Sequence, residues 1–284
     1  MNGINTFVIY IAYPCLILIK TASMDMSHDI FWNFLIVLFV SIGLFLIFGG
    51  YARLYFRGRR FSGDDRSAIE LTTFMPNNGF IGFPVALTFF GDMGLFYMVA
   101  NNVAMSISTF TYGMSVLKRG RETTPDTFRK AFLMVLKRLV NPNICAAIVG
   151  IIFCFFEVRL PEAATGFLDI VSLTATPLAM IAIGTMLVGS FGIRTFRKRA
   201  VIEPVLNKLF VIPLLTAAIV WFLPFSPLVK TILIVANSLP TAAVIGVLCE
   251  QYKRDHALAS EIIVISTLIS MVTIPFFIWV LGAI

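Results

Sequence analysis

Nine long apolar runs separated by short polar loops dominate this sequence and limit what the chain can fold into. Each run has about the 20 residues that a helix needs to cross a hydrocarbon layer of about 30 Å. Hydrophobic residues make up 58% of the chain and charged residues only 13%, whereas soluble domains carry about 25% charged residues. The predicted fold class is therefore all-α, a polytopic membrane protein. The runs cover residues 4–21, 31–52, 67–91, 94–117, 137–156, 166–190, 200–223, 229–251 and 258–283.

The placement of Lys and Arg supports this number of spans and predicts an orientation. When the loops alternate between two sides, 18 of the 22 basic residues fall on one side. Such an excess is typical of cytoplasmic loops, because these charges resist translocation. We therefore expect the basic loops in the cytoplasm and the C-terminus outside, in the cell (plasma or inner) membrane. The net charge of +7 belongs to these loops, so membrane lipid is an expected partner and nucleic acid is not.

A weak internal repeat appears when residues 75–117 are laid on residues 239–281, a shift of 164 positions that places Pro76 on Pro240. Under this shift the counterpart of the fifth run falls upstream of Met1. The natural unit is then five spans, and the chain is expected to lack the first helix of ten. Because the unit has an odd number of spans, the second copy enters the membrane in the opposite orientation to the first. Inverted repeats of this kind are typical of secondary transporters with alternating access.

The repeat divides the chain into predicted units. These are a first repeat of four spans at 1–117, a basic cytoplasmic loop at 118–136 and a second, inverted repeat of five spans at 137–284.

The aligned prolines lie near the middle of the third and eighth runs, about 14–17 Å from where each run begins. Proline breaks or kinks a helix, and broken backbone persists in a membrane only where protein, water or ligand covers it. The helices that start after the two breaks would direct N–H groups at the crossing, which favours an anion. We expect a small carboxylate to bind there. The expected substrate-binding residues are Pro76, Asn77, Asn78, Gly79, Asn237, Ser238, Pro240 and Thr241.

Three other polar residues within the runs are candidate accessory groups: Asn101, Asn102 and Lys208. The two asparagines either face the crossing or pair with neighbouring helices, and pairing is favoured. Lys208 either serves a site inside the membrane or extends to the cytoplasmic boundary, and both alternatives stay open.

Other classes of function have less support. The sequence contains no HExxH or GxSxG pattern and no CxxC pair, so we expect no enzyme, no metal and no cofactor. A passive anion channel or a solute sensor on the same fold is the alternative to a carrier. No acidic residue lies beside either proline motif, so anion export driven by the membrane potential is the simplest interpretation.

The stretch from Pro76 to Pro84, together with Ser238-Leu239-Pro240-Thr241 and a last run containing Ser270 and Pro275, resembles the auxin efflux carrier family. That family includes plant auxin exporters and bacterial permeases for malonate, malate and similar anions. The resemblance implies an architecture similar to that of bile-acid sodium symporters, with two broken helices that cross. It also implies a homodimer through a scaffold formed by the first, fifth and sixth runs, and a mobile transport part formed by the others.

Overall fold

The computed structural model describes residues 2–25, 27–59, 61–120, 141–156, 158, 160–187 and 199–282. Within these ranges the regular structure is helical, apart from one isolated β-bridge. The predicted all-α class is confirmed. The helices are α1 (Gly3–Ala22), α2 (His28–Arg57), α3 (Gly63–Phe74), α4 (78–90), α5 (92–118), α6 (Pro142–Phe155), α7 (Glu162–Thr185), α8 (Arg199–Trp221), α9 (Pro227–Ser238), α10 (Val244–Gln251) and α11 (His256–Gly282).

The length and surface of these helices are those of a multi-pass membrane protein. Within the described ranges, six helical stretches are long and apolar enough to cross a bilayer. Large apolar side chains also cover the outside of the bundle, and Phe39, Phe167 and Trp279 are each more than 60% exposed. Contiguous apolar surface of this kind is costly in water and is covered by lipid in a membrane. Most of the predicted loop at 118–136 lies outside the described residues.

Two of the predicted runs are each divided into two short helices. The third run comprises α3 and α4, and the eighth run comprises α9 and α10. The turn from α4 into α5 is made at Gly91, whose φ of 64° is accessible to glycine and unfavourable for most other residues.

Wide π-helical turns precede three prolines inside the long helices: Pro14, Pro84 and Pro213. A proline within a helix has no N–H to donate, and its ring clashes with the carbonyl group four residues earlier. A π turn relieves this clash by widening the helix locally. The wide turn before Pro213 contains Lys208.

Ion pairs gather four polar segments at one end of the bundle. These pairs are Arg59–Glu203 at 3.0 Å, Arg119–Glu70 at 2.7 Å and Arg254–Asp64 at 2.6 Å. They join the α2–α3 loop, the C-terminus of α5, the N-terminus of α8 and the α10–α11 loop. We call this the basic end, because its segments belong to the loops that carry most of the Lys and Arg.

The opposite end, called the far end, is defined by two other contacts. Lys20 near the C-terminus of α1 pairs with Asp92 after the α4–α5 turn, at 3.4 Å. The thiol of Cys154 near the C-terminus of α6 donates to the carbonyl oxygen of Met24, at 2.7 Å. Helices α1 and α6 therefore run in the same direction, from the basic end to the far end.

Candidate functional site

The breaks in the third and eighth runs arise from the residues that precede each proline. Met75 before Pro76 and Leu239 before Pro240 are both extended, with ψ of 111° and 150°. The proline ring disfavours helical backbone at the preceding residue, so α3 ends at Phe74 and α9 ends at Ser238. Both breaks are where the sequence predicts them.

The two breaks meet and are joined through their backbones. The N–H of Asn77 donates to the carbonyl oxygen of Pro240 at 2.8 Å, and the N–H of Ala242 donates to that of Met75 at 3.0 Å. These bonds form an antiparallel bridge between Pro76 and Thr241. Because α3 starts at the basic end and α9 starts at the far end, the broken helices run in opposite directions and cross. We call this contact the crossing.

Side chains from the eighth run stabilise the crossing. Thr241 is fully buried; its hydroxyl donates to the carbonyl oxygen of Thr72 at 2.7 Å, and its N–H donates to the hydroxyl of Ser266 at 3.2 Å. The Thr72 carbonyl belongs to the last turn of α3, where the carbonyl groups have no partner within the helix. Thr241 therefore caps the C-terminus of α3.

A chain of buried polar side chains links the start of α4 to α5 and α2. The amide nitrogen of Asn78 donates to the side-chain oxygen of Asn101, and the amide nitrogen of Asn101 donates to the hydroxyl of Ser41, both at 2.7 Å. All three residues are fully buried. Asn101 therefore pairs with neighbouring helices.

A cavity of about 150 Å³ lies against the crossing. Three of its lining residues carry a buried side-chain oxygen without a hydrogen-bond partner: the hydroxyl of Tyr13 and the amide oxygens of Asn78 and Asn143. Buried polar groups without partners are costly and therefore rare in folded proteins. Here all three residues line one small cavity, which makes it the candidate ligand site. The lining residues are Ile9, Tyr13, Pro76, Asn77, Asn78, Gly79, Phe80, Asn102, Met105, Asn143, Ala242, Ala243 and Val244.

The electrostatics of this cavity come from neutral dipoles. None of the described residues that line it is charged. Asn78 and Gly79 belong to the first turn of α4, and Val244 begins α10, so two helix N-termini face the same space. A helix N-terminus carries about half a positive charge together with free N–H groups. Two of them, beside the Tyr13 hydroxyl, form a site suited to a carboxylate.

The cavity lies beside the crossing. Gly79 is in the first turn of α4, which runs from the crossing to the far end. Val244 starts α10, which runs from the crossing to the α10–α11 loop at the basic end. Two larger cavities lie at the ends of the bundle and are lined mainly by loops and helix termini; the one at the far end has a volume of about 830 Å³ and the one at the basic end about 390 Å³.

The structure brings together some of the residues that the sequence predicts for substrate binding. Pro76, Asn77, Asn78 and Gly79 line the cavity, and so does the accessory candidate Asn102. The side chain of Asn77 also caps α4, since its oxygen accepts from the N–H of Phe80 at 3.3 Å.

The remaining predicted residues lie in the crossing and not in the cavity wall. Asn237, Ser238, Pro240 and Thr241 are fully or almost fully enclosed, and Ser238 donates its hydroxyl to the carbonyl oxygen of Val235. The amide nitrogen of Asn237 donates to the carbonyl oxygen of Leu233 at 2.9 Å. Lys208 is fully buried, and its Nζ donates to the carbonyl oxygen of Asn237.

Two polar lining residues, Tyr13 and Asn143, are not among the residues that the sequence predicts for the site. Tyr13 precedes Pro14, and Asn143 follows Pro142 at the start of the fifth run. Neither residue belongs to the proline motifs of the third and eighth runs. Only the packing of α1 and α6 beside the crossing brings them to the site.

Comparison with known proteins points to one family over almost the whole chain. The family model described as membrane transport protein matches residues 1–278. The chain is similar to an uncharacterized transporter of Methanothermobacter thermautotrophicus, with 26% identity over 277 residues, 96% of this chain and 87% of the relative. It is also similar to an uncharacterized transporter of Methanocaldococcus jannaschii, with 28% identity over 291 residues, 98% of this chain and 89% of the relative.

Proposed function

Because the chain belongs to the membrane transport protein family and is a multi-pass transporter, we propose that it carries a small organic anion through the cavity at the crossing. The resemblance to the auxin efflux carrier family is confirmed. The substrate that we propose has a carboxylate group and is small enough for a cavity of about 150 Å³.

The observation that carries this proposal is the position of the Tyr13 hydroxyl and of two helix N-termini at one uncharged cavity. A cation would face two positive helix ends and would find no acidic side chain in the described lining. A carboxylate would accept hydrogen bonds from the Tyr13 hydroxyl and from N–H groups in the first turns of α4 and α10. The cavity therefore favours an anion by dipoles, without a fixed positive charge in its wall.

We further propose that transport occurs by alternating access. The cavity lies beside the crossing and against α1 and α6, so opening it alternately to the two sides requires the helices that cross to move relative to α1 and α6. The predicted inverted repeats supply two related halves that could exchange conformations. In this proposal α1, α6 and α7 form the scaffold and join two copies in a homodimer. Their exposed apolar residues, such as Ile152 and Ile170, would then contact the partner or lipid.

A binding screen on purified protein tests the proposed substrate class. Monocarboxylates, dicarboxylates and indole acids are added to the protein in detergent, and the melting temperature is measured. A ligand at 100 times its Kd stabilises the folded state by about 2.7 kcal/mol, which gives a clear shift. We expect one class of carboxylate to raise the melting temperature. Stabilisation by neutral or cationic solutes, with no effect of any carboxylate, would contradict the proposal.

A further inference from the structure

Lys208 places an ammonium group in the protein interior, beside the break in the eighth run. The residue is fully buried, and it lies in the π turn Asn207–Val211 of α8. Its nitrogen Nζ donates to the carbonyl oxygen of Asn237 at 3.2 Å. Neighbouring bonds fix the turn, since the hydroxyl of Tyr51 donates to the side-chain oxygen of Asn207 at 2.5 Å. Lys208 is therefore built into the structure and does not extend to the membrane boundary.

The carbonyl group that Lys208 contacts is free because α9 is broken. In a continuous helix the oxygen of Asn237 would accept from the N–H of Thr241, four residues later. That N–H donates to the hydroxyl of Ser266 instead. The last turn of α9 thus presents the negative end of its dipole and an open acceptor, an environment that favours a cation.

No acidic side chain compensates the charge of Lys208 in the part of the chain that the structure describes. The nearest acidic residue along α8, Glu203, pairs with Arg59 and Arg199. A second oxygen is nevertheless present on the contacted residue: the side-chain Oδ1 of Asn237 is buried and has no hydrogen-bond partner. An ammonium group has three donors, and one of them donates to the Asn237 carbonyl oxygen at the end of a helix.

This arrangement has the chemistry of a cation site. In transporters with broken helices, unwound carbonyl groups and half-helix C-termini bind the coupling cation. We propose that the Lys208 ammonium is a tethered cation, which fills such a site at the end of α9 and leaves no place there for an exchangeable sodium ion. This inference rests on the proposed function. It implies that anion transport is not coupled to a sodium ion bound at the end of α9.

The test removes the tethered charge and asks whether a free cation takes its place. Melting temperatures of the wild type, Lys208→Ala and Lys208→Met are measured in sodium chloride and in choline chloride at equal ionic strength, without substrate. Alanine leaves a space beside the Asn237 carbonyl oxygen, whereas methionine fills that space with an uncharged chain. Lys230→Ala is the matched control, because Lys230 also donates to a helix-terminal carbonyl oxygen, that of Trp221 at 3.0 Å, but is solvent-accessible.

We expect sodium to raise the melting temperature of Lys208→Ala by about 3 °C or more, with an effect that saturates as the sodium concentration rises. The melting temperatures of the wild type, Lys208→Met and Lys230→Ala should be the same in the two salts. Equal melting temperatures of Lys208→Ala in the two salts would overturn the proposal, and so would saturable stabilisation of the wild type by sodium. If Lys208→Ala folds in neither salt, Lys208→Ser is measured with the same two criteria. No substrate is present in this experiment, so its outcome is independent of carboxylate binding at the cavity. A negative sodium result would therefore not contradict the proposed substrate class, and a negative carboxylate screen would not contradict the sodium result.

Discussion

The hydroxyl of Tyr13 gives the sharpest test of the cavity at the scale of a single residue. It is buried, lines the cavity and has no partner in the structure. We expect Tyr13→Phe to keep or slightly raise the stability of the ligand-free protein, because an unpartnered hydroxyl is removed. We expect the same change to weaken carboxylate binding about 10- to 100-fold, since a hydrogen bond to a charged group contributes about 1.5–3 kcal/mol. Titration calorimetry or thermal shift measures both effects.

Tyr10→Phe is the control, because Tyr10 is on the same helix and 59% exposed. Unchanged affinity in Tyr13→Phe would place the substrate elsewhere. Asn78→Ala is a less clean test: it also removes the bond to Asn101, so its effects on binding and on stability would be mixed.

At this scale the sequence predicts which backbone breaks, and it predicts the cavity wall only in part. Pro76 and Pro240 act on their own neighbours, so their effect is local and readable. Whether a nearby polar side chain points into the cavity or into the crossing depends on tertiary packing. Asn78 and Thr241 illustrate this: both belong to the motifs, yet Asn78 lines the cavity and Thr241 caps α3.

At the scale of helices, the close approach at the crossing depends on a residue without a side chain. A Cβ atom at Gly82 would lie 2.8 Å from Cδ1 of Leu239 and 3.2 Å from Sδ of Met98. Both neighbours are fully buried, so they have little room to move. We expect Gly82→Ala to destabilise the protein by about 1–3 kcal/mol, the usual cost of overpacking a core. Thermal unfolding in detergent measures the loss.

Gly79→Ala is the matched comparison in the same π turn, because a Cβ atom there would meet nothing within 4 Å. We expect its stability to equal or exceed that of the wild type, since alanine restricts the unfolded chain more than glycine. Equal stability of the two variants would contradict the close approach of Gly82 to Leu239.

The helices themselves were largely predictable, and their contacts were not. The length of each apolar run predicts a helix, and the prolines predict the breaks, because both signals depend on residues that are close together in the sequence. The parallel packing of α1 and α6, which delivers Tyr13 and Asn143 to the cavity, has no such local signal. The inverted five-helix repeat stays a prediction, as does the function of α1, α6 and α7 as a dimerising scaffold.

At the scale of the whole molecule, the grouping of polar segments at the basic end predicts which side faces the cytoplasm. The four native cysteines are first replaced, and single cysteines are introduced by Arg57→Cys at the basic end and Phe222→Cys at the far end. Both positions are exposed. We expect a membrane-impermeant maleimide to label Phe222→Cys in intact cells, and Arg57→Cys only after permeabilisation. Labelling of Arg57→Cys in intact cells would reverse the orientation.

In the proposed mechanism the cavity opens to one side of the membrane at a time, and a counterflow experiment distinguishes such a carrier from a passive pore. Proteoliposomes are loaded with the carboxylate that stabilises the purified protein, and uptake of the labelled compound is followed from outside. A carrier predicts that internal substrate accelerates uptake several-fold, and that Tyr13→Phe needs a higher substrate concentration for the same rate. Uptake at the same rate from empty and loaded vesicles would contradict alternating access and would indicate a passive pore.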